Sequence, residues 1–218
     1  MRSYSKYEHY DRGWPHNQMS YYRDQLEDYL SGQHIVADRV LDVGGAAKPV
    51  KNRVASWDVK QYTIVDNELE EAVESPLVNL DLNYPYPWRD FTKIENAKLS
   101  QRQLAEGGFD LVFCLEVMEY IFDPMTAIQN ISSWMKEGGK LIISFPFVYP
   151  VHKPIEADFL RYTPQGATKL LAANGLKTEA IHSRIDRSGK LLEFYKADGM
   201  HVGGNAHVTG VIIEARKV

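Results

Sequence analysis

Cysteine is almost missing from the 218 residues: Cys114 stands alone. That excludes an intrachain disulfide framework and a thiolate cluster for zinc. Long apolar runs are missing too. The most hydrophobic stretch, LIISFPFVYPV at 141–151, is too short for a membrane span and is broken by prolines. There is no basic excess: 25 Lys and Arg face 29 Asp and Glu, for a net charge of −4. The chain therefore lacks a global positive field to recruit nucleic acid. Its opening, MRSYSKYEHYDRGW, has no apolar core of the kind a secretory leader needs, so a cytoplasmic protein is expected. Neither GxGxxG nor GxxxxGK[ST] occurs, which argues against a pyrophosphate ligand.

What is present is the composition of an ordinary globular domain, with 44% hydrophobic and 25% charged residues. The length suits one sizeable domain, read as residues 35–218 behind an aromatic helical segment at 1–34 that is a candidate lid. Met19, Tyr22, Leu26, Tyr29 and Leu30 recur at helical steps. Apolar runs at 40–43, 62–66, 77–82, 109–115 and 140–147 read as strands, with further candidates at 176–183 and 207–218. Between them, helices are predicted over 49–57 and over the polar tract 93–106. Another starts at Asp123–Pro124 and stops at Gly138–Gly139. A further one runs from Thr163–Pro164 to Asn174–Gly175. Strands alternating with helices, several of the strands apolar on both faces, imply an open, mostly parallel α/β sandwich. Ligands bind such sheets beyond the carboxyl ends of the strands.

At that rim, VLDVGGAAKP (40–49) runs from a strand into a loop of small residues that lets a ligand approach the main chain. Asp66, at the end of the next strand, is placed to accept hydrogen bonds from a ribose diol. Ribose without pyrophosphate suggests a nucleoside. Asp81 can accept from an adenine amino group, and Asp42 can orient an ammonium directly or through the loop. His201 and His207 have no carboxylate or thiolate partners nearby in the sequence, so no metal site is expected. Cys114 falls inside an apolar strand, which disfavours it as a nucleophile.

In order, VLDVGGAAKP, YTIVDNE, LVNLDLN, FDLVFCLEVMEYIFDP and WMKEGGKLIISFPF resemble class I S-adenosylmethionine-dependent methyltransferases. The piece FPFVYPVHKPIEADFLRYTPQGATKLLAANG is similar to a branch often linked to glycan and cell-envelope biosynthesis. The resemblance implies a Rossmann-like three-layer sandwich whose seven-stranded sheet ends in an antiparallel strand. It implies S-adenosyl-L-methionine as cofactor. Asp42, Gly44, Gly45 and Ala46 would border its methionine half, Asp66 would take its ribose diol, and Asn67 would also contact the cofactor. Asp81 and Leu82 would flank adenine, with Cys114, Leu115 and Glu116 on the opposite wall. The acceptor would be a small molecule or saccharide-like, methylated at oxygen, with Tyr120, Tyr149 and Arg161 as substrate contacts. His152, just after the fifth strand, is the candidate base, since a hydroxyl acceptor gains from a group titrating near neutrality. Arg161 could equally pair with Asp158 and pin its own loop.

Three departures from the family pattern stand out. Ala46 occupies a usual glycine position, Tyr120 a usual histidine, and Leu160 a usual aromatic. They motivate a rival reading, a non-catalytic cofactor-binding subunit that supports a partner. Methylation of nucleic acid fits less well, given the acidic balance and FCLE where a Pro-Pro-aromatic motif would stand.

Overall fold

The computed structural model describes residues 23–67, 77–85, 104, 106–151, 155–197 and 207–218. Seven strands are present among them: β1 (His34–Val43), β2 (Ser56–Asp66), β3 (Leu77–Asn79), β4 (Phe109–Cys114), β5 (Met135–Pro146), β6 (Leu176–Ile185) and β7 (Val208–Lys217). They form one sheet in the order β3-β2-β1-β4-β5-β7-β6. β1 to β5 pair in parallel, while β7 runs antiparallel to both β5 and β6. This is the sandwich the alternating pattern predicts. The strand order reverses between β1 and β4, and that switch point opens a crevice at the carboxyl ends of these strands.

The helices are α1 (Asp24–Ser31), α2 (Pro124–Trp134), α3 (Pro164–Ala172) and α4 (Lys190–Ala197). Neighbouring apolar residues on a strand point to opposite faces, so runs such as Val40–Leu41 and Leu111–Val112–Phe113–Cys114 require cover on both sides. Leu41, Val43, Val112, Cys114, Leu141 and Ile143 pack with Ile128 and Ile131 of α2 and Leu171 of α3. Val40, Leu111, Phe113, Ile142 and Ile212 pack with Leu26 and Leu30 of α1. Each fully buried leucine contributes roughly 1.5–3 kcal/mol relative to exposure. Capping follows the sequence signals: Asp123 accepts from Thr126 N (3.2 Å), and Thr163 from Gly166 N (3.0 Å).

Several boundaries differ from expectation. In place of a helix over 49–57 there is one 3-10 turn, Val50–Asn52, and Trp57 already lies in β2. The polar residues Asp58, Lys60, Asp38 and Arg39 obscured paired extensions of β1 and β2, whose register begins at His34 with Ser56. α2 stops at Trp134 because Met135 is extended (ψ 144°) and starts β5. β3 ends at Asn79, three residues short of the predicted run: Leu80 N makes the last bond to β2, at Asp66 O (2.9 Å), and Asp81 then accepts from Asn83 N (2.9 Å) in a turn. α4 was not anticipated; its apolar residues Leu191, Leu192 and Tyr195 recur at helical steps, but none of the helix is buried. Within the polar tract, Leu104 and Glu106 are helical, and Leu104 is buried rather than exposed. The segment 1–22, residues 93–103 and 105, His152 and His201 lie outside the described residues.

Candidate active site

A cleft of about 500 Å³ lies at the carboxyl ends of β1, β2, β3 and β4. Such a volume falls in the range of roughly 300–1,000 Å³ usual for small-molecule sites. Of the sequence-predicted residues, Gly44, Ala46, Asp66, Asn67, Asp81, Leu82, Glu116 and Tyr120 line it. Asp42, Gly45, Cys114, Leu115, Tyr149 and Arg161 are not among the lining residues.

Asp42 sits beneath the glycine loop. Its carboxylate accepts from Val50 N (2.8 Å) and from the Tyr62 hydroxyl. Burial pushes its pKa up to about 6, against the lowering effect of those two bonds. A Cβ on Gly45 would overlap this carboxylate, so Gly45 is glycine on account of Asp42. Gly44 has φ 76°, and a Cβ there would overlap Val117 Cγ2. Its N–H donates to Val65 O at 2.7 Å, closing the loop onto β2. Ala46 N donates to Asp66 Oδ2 at 3.0 Å, so the same carboxylate holds the loop and borders the cleft. The Ala46 methyl is thus accommodated at the lining.

Cys114 belongs to the core face shared with Val43, and Leu115 to the opposite face, which leaves Glu116 as the first residue of that segment in the cleft. Burial also pushes the Cys114 thiol up, away from nucleophilic character. Glu116 is the one non-glycine among the described residues with a left-handed backbone, φ 56°. It is held there by Ser144, whose hydroxyl accepts from Glu116 N (2.8 Å) and donates to Oε1 (2.9 Å). Arg184, buried on β6, donates to both carboxylate oxygens. Burial raises the Glu116 pKa, but the Arg184 charge and these bonds outweigh it and hold the carboxyl below its usual range. Nothing in the sequence marked Arg184, which lies on a largely exposed strand.

Asp81 makes a turn: its Oδ1 accepts from both N and Nδ2 of Asn83, each at 2.9 Å. Asn83 Oδ1 in turn accepts from Phe122 N (2.7 Å) and Asp123 N (3.4 Å). Arg161 has five N–H groups, and all five are used. Two go to Asp158, and the rest to the carbonyls of Tyr149 (3.1 Å), Leu160 (2.8 Å) and Pro150 (3.0 Å). The structure thus favours the loop-pinning role for Arg161 over a substrate clamp. The pinned segment is stitched to the 3-10 turn Met118–Tyr120, with Phe159 N (2.7 Å) and Leu160 N (3.2 Å) donating to Glu119 O. Leu160 packs on the core, while Phe159 lines the cleft. The aromatic missing from the family pattern is therefore the inward member of the pair. Sequence reasoning had no role for Asn83, Phe122 or Phe159 in the cleft; only the DLN turn and the aromatic after Asp158 hinted at them.

The lining carries three carboxylates, Asp66, Asp81 and Glu116, and no Lys, Arg or His among the described residues. With a bare loop at one end, this surface suits a nucleoside bearing positive charge and does not suit a phosphate. No group of three or more His, Cys, Asp or Glu among the described residues is arranged to hold a metal. No described helix is long and apolar enough to cross a membrane.

Comparison with known proteins gives a consistent result. The methyltransferase domain family matches residues 14–193. The ubiquinone biosynthesis O-methyltransferase of Xanthomonas euvesicatoria pv. vesicatoria (strain 85-10) is 30% identical over 120 residues, which is 55% of this chain and 48% of that protein. The chain thus spans about half the length of the curated relatives it matches. Among solved structures, a putative methyltransferase from Bacillus halodurans C-125 superposes with a TM-score of 0.54 at 16% identity, covering 89% of this chain and 97% of that one. The N-methyltransferase NodS from Bradyrhizobium japonicum WM9, in complex with S-adenosyl-L-homocysteine, gives 0.53 at 15% identity over 89% and 85%. At these identities the structural likeness speaks for the fold.

Proposed function

The chain belongs to the methyltransferase domain family, the S-adenosylmethionine-dependent class, and on that premise we propose that it transfers a methyl group to a hydroxyl oxygen of a small-molecule acceptor. The observation that carries this reading is the cleft itself, bare-looped, acidic and without cations among its described lining, at the switch point of the sheet. Transfer to oxygen draws support from the name of the O-methyltransferase relative.

When bound, S-adenosylmethionine supplies a methyl group already activated on a sulfonium. Asp66 would accept from the ribose hydroxyls, while Asn67, Asp81 and Leu82 would border the base. The Gly44–Ala46 backbone would border the methionine end, with Glu116 opposite. The protein's work is then to hold two partners in line and exclude water. His152, outside the described residues, remains the proposed base for the hydroxyl proton. Unchanged acceptor-saturated turnover in His152→Ala across pH 6–9 would remove it from that role.

Calorimetric titration with S-adenosylmethionine and S-adenosylhomocysteine, with NAD as control, tests the donor site. Micromolar affinity for both and none for NAD is expected. Asp66→Asn keeps an acceptor for Ala46 N but loses the charge. It should weaken binding by about 10- to 100-fold, the range for a lost charge-assisted hydrogen bond. Formation of S-adenosylhomocysteine with an acceptor separates an enzyme from a non-catalytic binding subunit.

A further inference from the structure

We propose that the outer half of the cleft is a rigid platform for an uncharged, planar aromatic acceptor; this inference rests on the methyl-transfer reading above and narrows it. Three aromatic side chains stand in solvent at the mouth: Tyr84 (60% exposed), Phe122 (52%) and Phe159 (47%). Large exposed aromatics are informative because folding leaves few of them in one place without a use. These are arranged edge to face, Tyr84 on Phe122 with centroids 6.2 Å apart at 83°, and Phe122 on Phe159 at 5.8 Å and 88°. Phe122 and Phe159 both line the cleft.

The platform is held from behind. Phe122 N donates to Asn83 Oδ1 (2.7 Å), and Phe159 N to Glu119 O (2.7 Å). Neither ring needs the main chain to move before a flat ligand docks, so little ordering cost falls on binding. Ring faces accept a planar π-system in offset or edge geometry.

Charge and polarity favour this class over its competitors. The lining offers no cation among the described residues, so an acceptor bearing phosphate, sulfate or carboxylate would find no counter-charge there. A saccharide is recognised through side-chain amides, carboxylates and guanidiniums set around its hydroxyls. Near this mouth Asn83 and Arg161 are already occupied, while Asn67, Asp66 and Asp81 border the donor half. Asn83 is spent on Phe122 N, Asp123 N and Asp81, and Arg161 on Asp158 and three carbonyls. What remains toward solvent is mainly apolar: Phe122, Ala157 and Phe159, with Tyr120 beside them.

The test uses the full chain saturated with S-adenosylhomocysteine and three probes: catechol, 3,4-dihydroxybenzoate and methyl β-glucoside. Dissociation constants come from ligand-observed NMR and calorimetry. Catechol should bind at least tenfold more tightly than the benzoate, and the glucoside should not bind measurably. Phe122→Ala and Phe159→Ala should each weaken catechol at least fivefold, with S-adenosylhomocysteine affinity within twofold of wild type. Phe159→Tyr should retain catechol. The proposal is overturned if the glucoside or the benzoate binds as well as catechol, if the alanine variants bind catechol normally, or if catechol does not bind. Failure to load S-adenosylhomocysteine appears separately in the first titration and would strike the donor reading on which the platform rests.

Discussion

The wall of the cleft built on β1 and β2 and the wall built on residues 118–122 and 155–160 face the same task, fixing a loop, with opposite consequences for what meets a ligand. On the first wall, Asp42 and Asp66 fasten the glycine loop, and Asp66 still borders the cleft. On the second, Asn83, Asp158 and Arg161 are consumed in holding main chain, and rings are left to face outward. One wall presents carboxylates and backbone; the other presents apolar π-faces. A ligand spanning both would be charged and polar at one end and flat and neutral at the other.

Breaking the floor that both walls share should have the largest effect. Glu116 adopts its left-handed backbone against Ser144 and Arg184 at the junction. Arg184→Met strands a buried carboxylate and should cost about 3–5 kcal/mol in urea denaturation. Adding Glu116→Gln should recover part of that loss, because the uncompensated charge is gone. If Arg184→Met alone is as stable as wild type, the pair is not what holds the floor.

Next in size is a change confined to the glycine wall. Gly44→Ala adds a Cβ at φ 76° that overlaps Val117. We expect a loss of about 1–3 kcal/mol from backbone strain and crowding. S-adenosylmethionine affinity should fall at least tenfold by calorimetry. Catechol binding to the platform should change far less, which sharpens the division between the walls.

Arg161→Lys probes the other wall and should be milder. Lysine keeps a charge for Asp158 but cannot reproduce five directed N–H bonds. A stability loss of about 1–2 kcal/mol is expected, from hydrogen bonds near 1 kcal/mol each and partial compensation. Acceptor KM should rise while donor affinity stays within twofold. Equal losses at both sites would show that the two walls are mechanically one.

The same division explains what could be read from the sequence. The glycine wall was legible because its constraints are local: a strand, two glycines, and an aspartate at the end of the next strand. The order of elements also followed, since runs such as FDLVFC can be satisfied only between two helical layers. Yet even there Asp42 was open to two roles, a direct ligand contact or a hold on the loop. Its role under Gly45 depends on Tyr62 and Val50, which the sheet and a turn bring to it. The aromatic wall was illegible because its residues are far apart in the chain. Asn83 reaches Phe122 across 39 positions, and Arg184 reaches Glu116 across 68. Arg161 was open to two roles from sequence, and only a count of its five donors decides between them. The extensions of β1 and β2 were hidden for another reason: their outer halves are half-solvated, so polar residues broke the apolar pattern.

The finest test of the two walls is titration. Glu119 sits buried behind the aromatic wall, and burial followed by the Glu116 charge raises its pKa from 4.5 to about 8. Asp42 sits behind the glycine wall, where burial raises it from 3.8 to about 6. For either group the folded state binds the proton more tightly than the unfolded chain does. Each contribution to stability is therefore full below the unfolded value, declines as pH rises, and is gone above the folded value. The windows differ: about 4 to 6 for Asp42, and about 4.5 to 8 for Glu119. Thermal melts of Asp42→Asn should diverge from wild type between pH 4 and 6 and run parallel above. Those of Glu119→Gln should gain on wild type steadily from pH 5 to 8 and level off by pH 9. Parallel curves for Glu119→Gln across the whole range would mean that Glu119 is charged in the native protein. The aromatic wall would then rest on a carboxylate, as the glycine wall does near neutral pH.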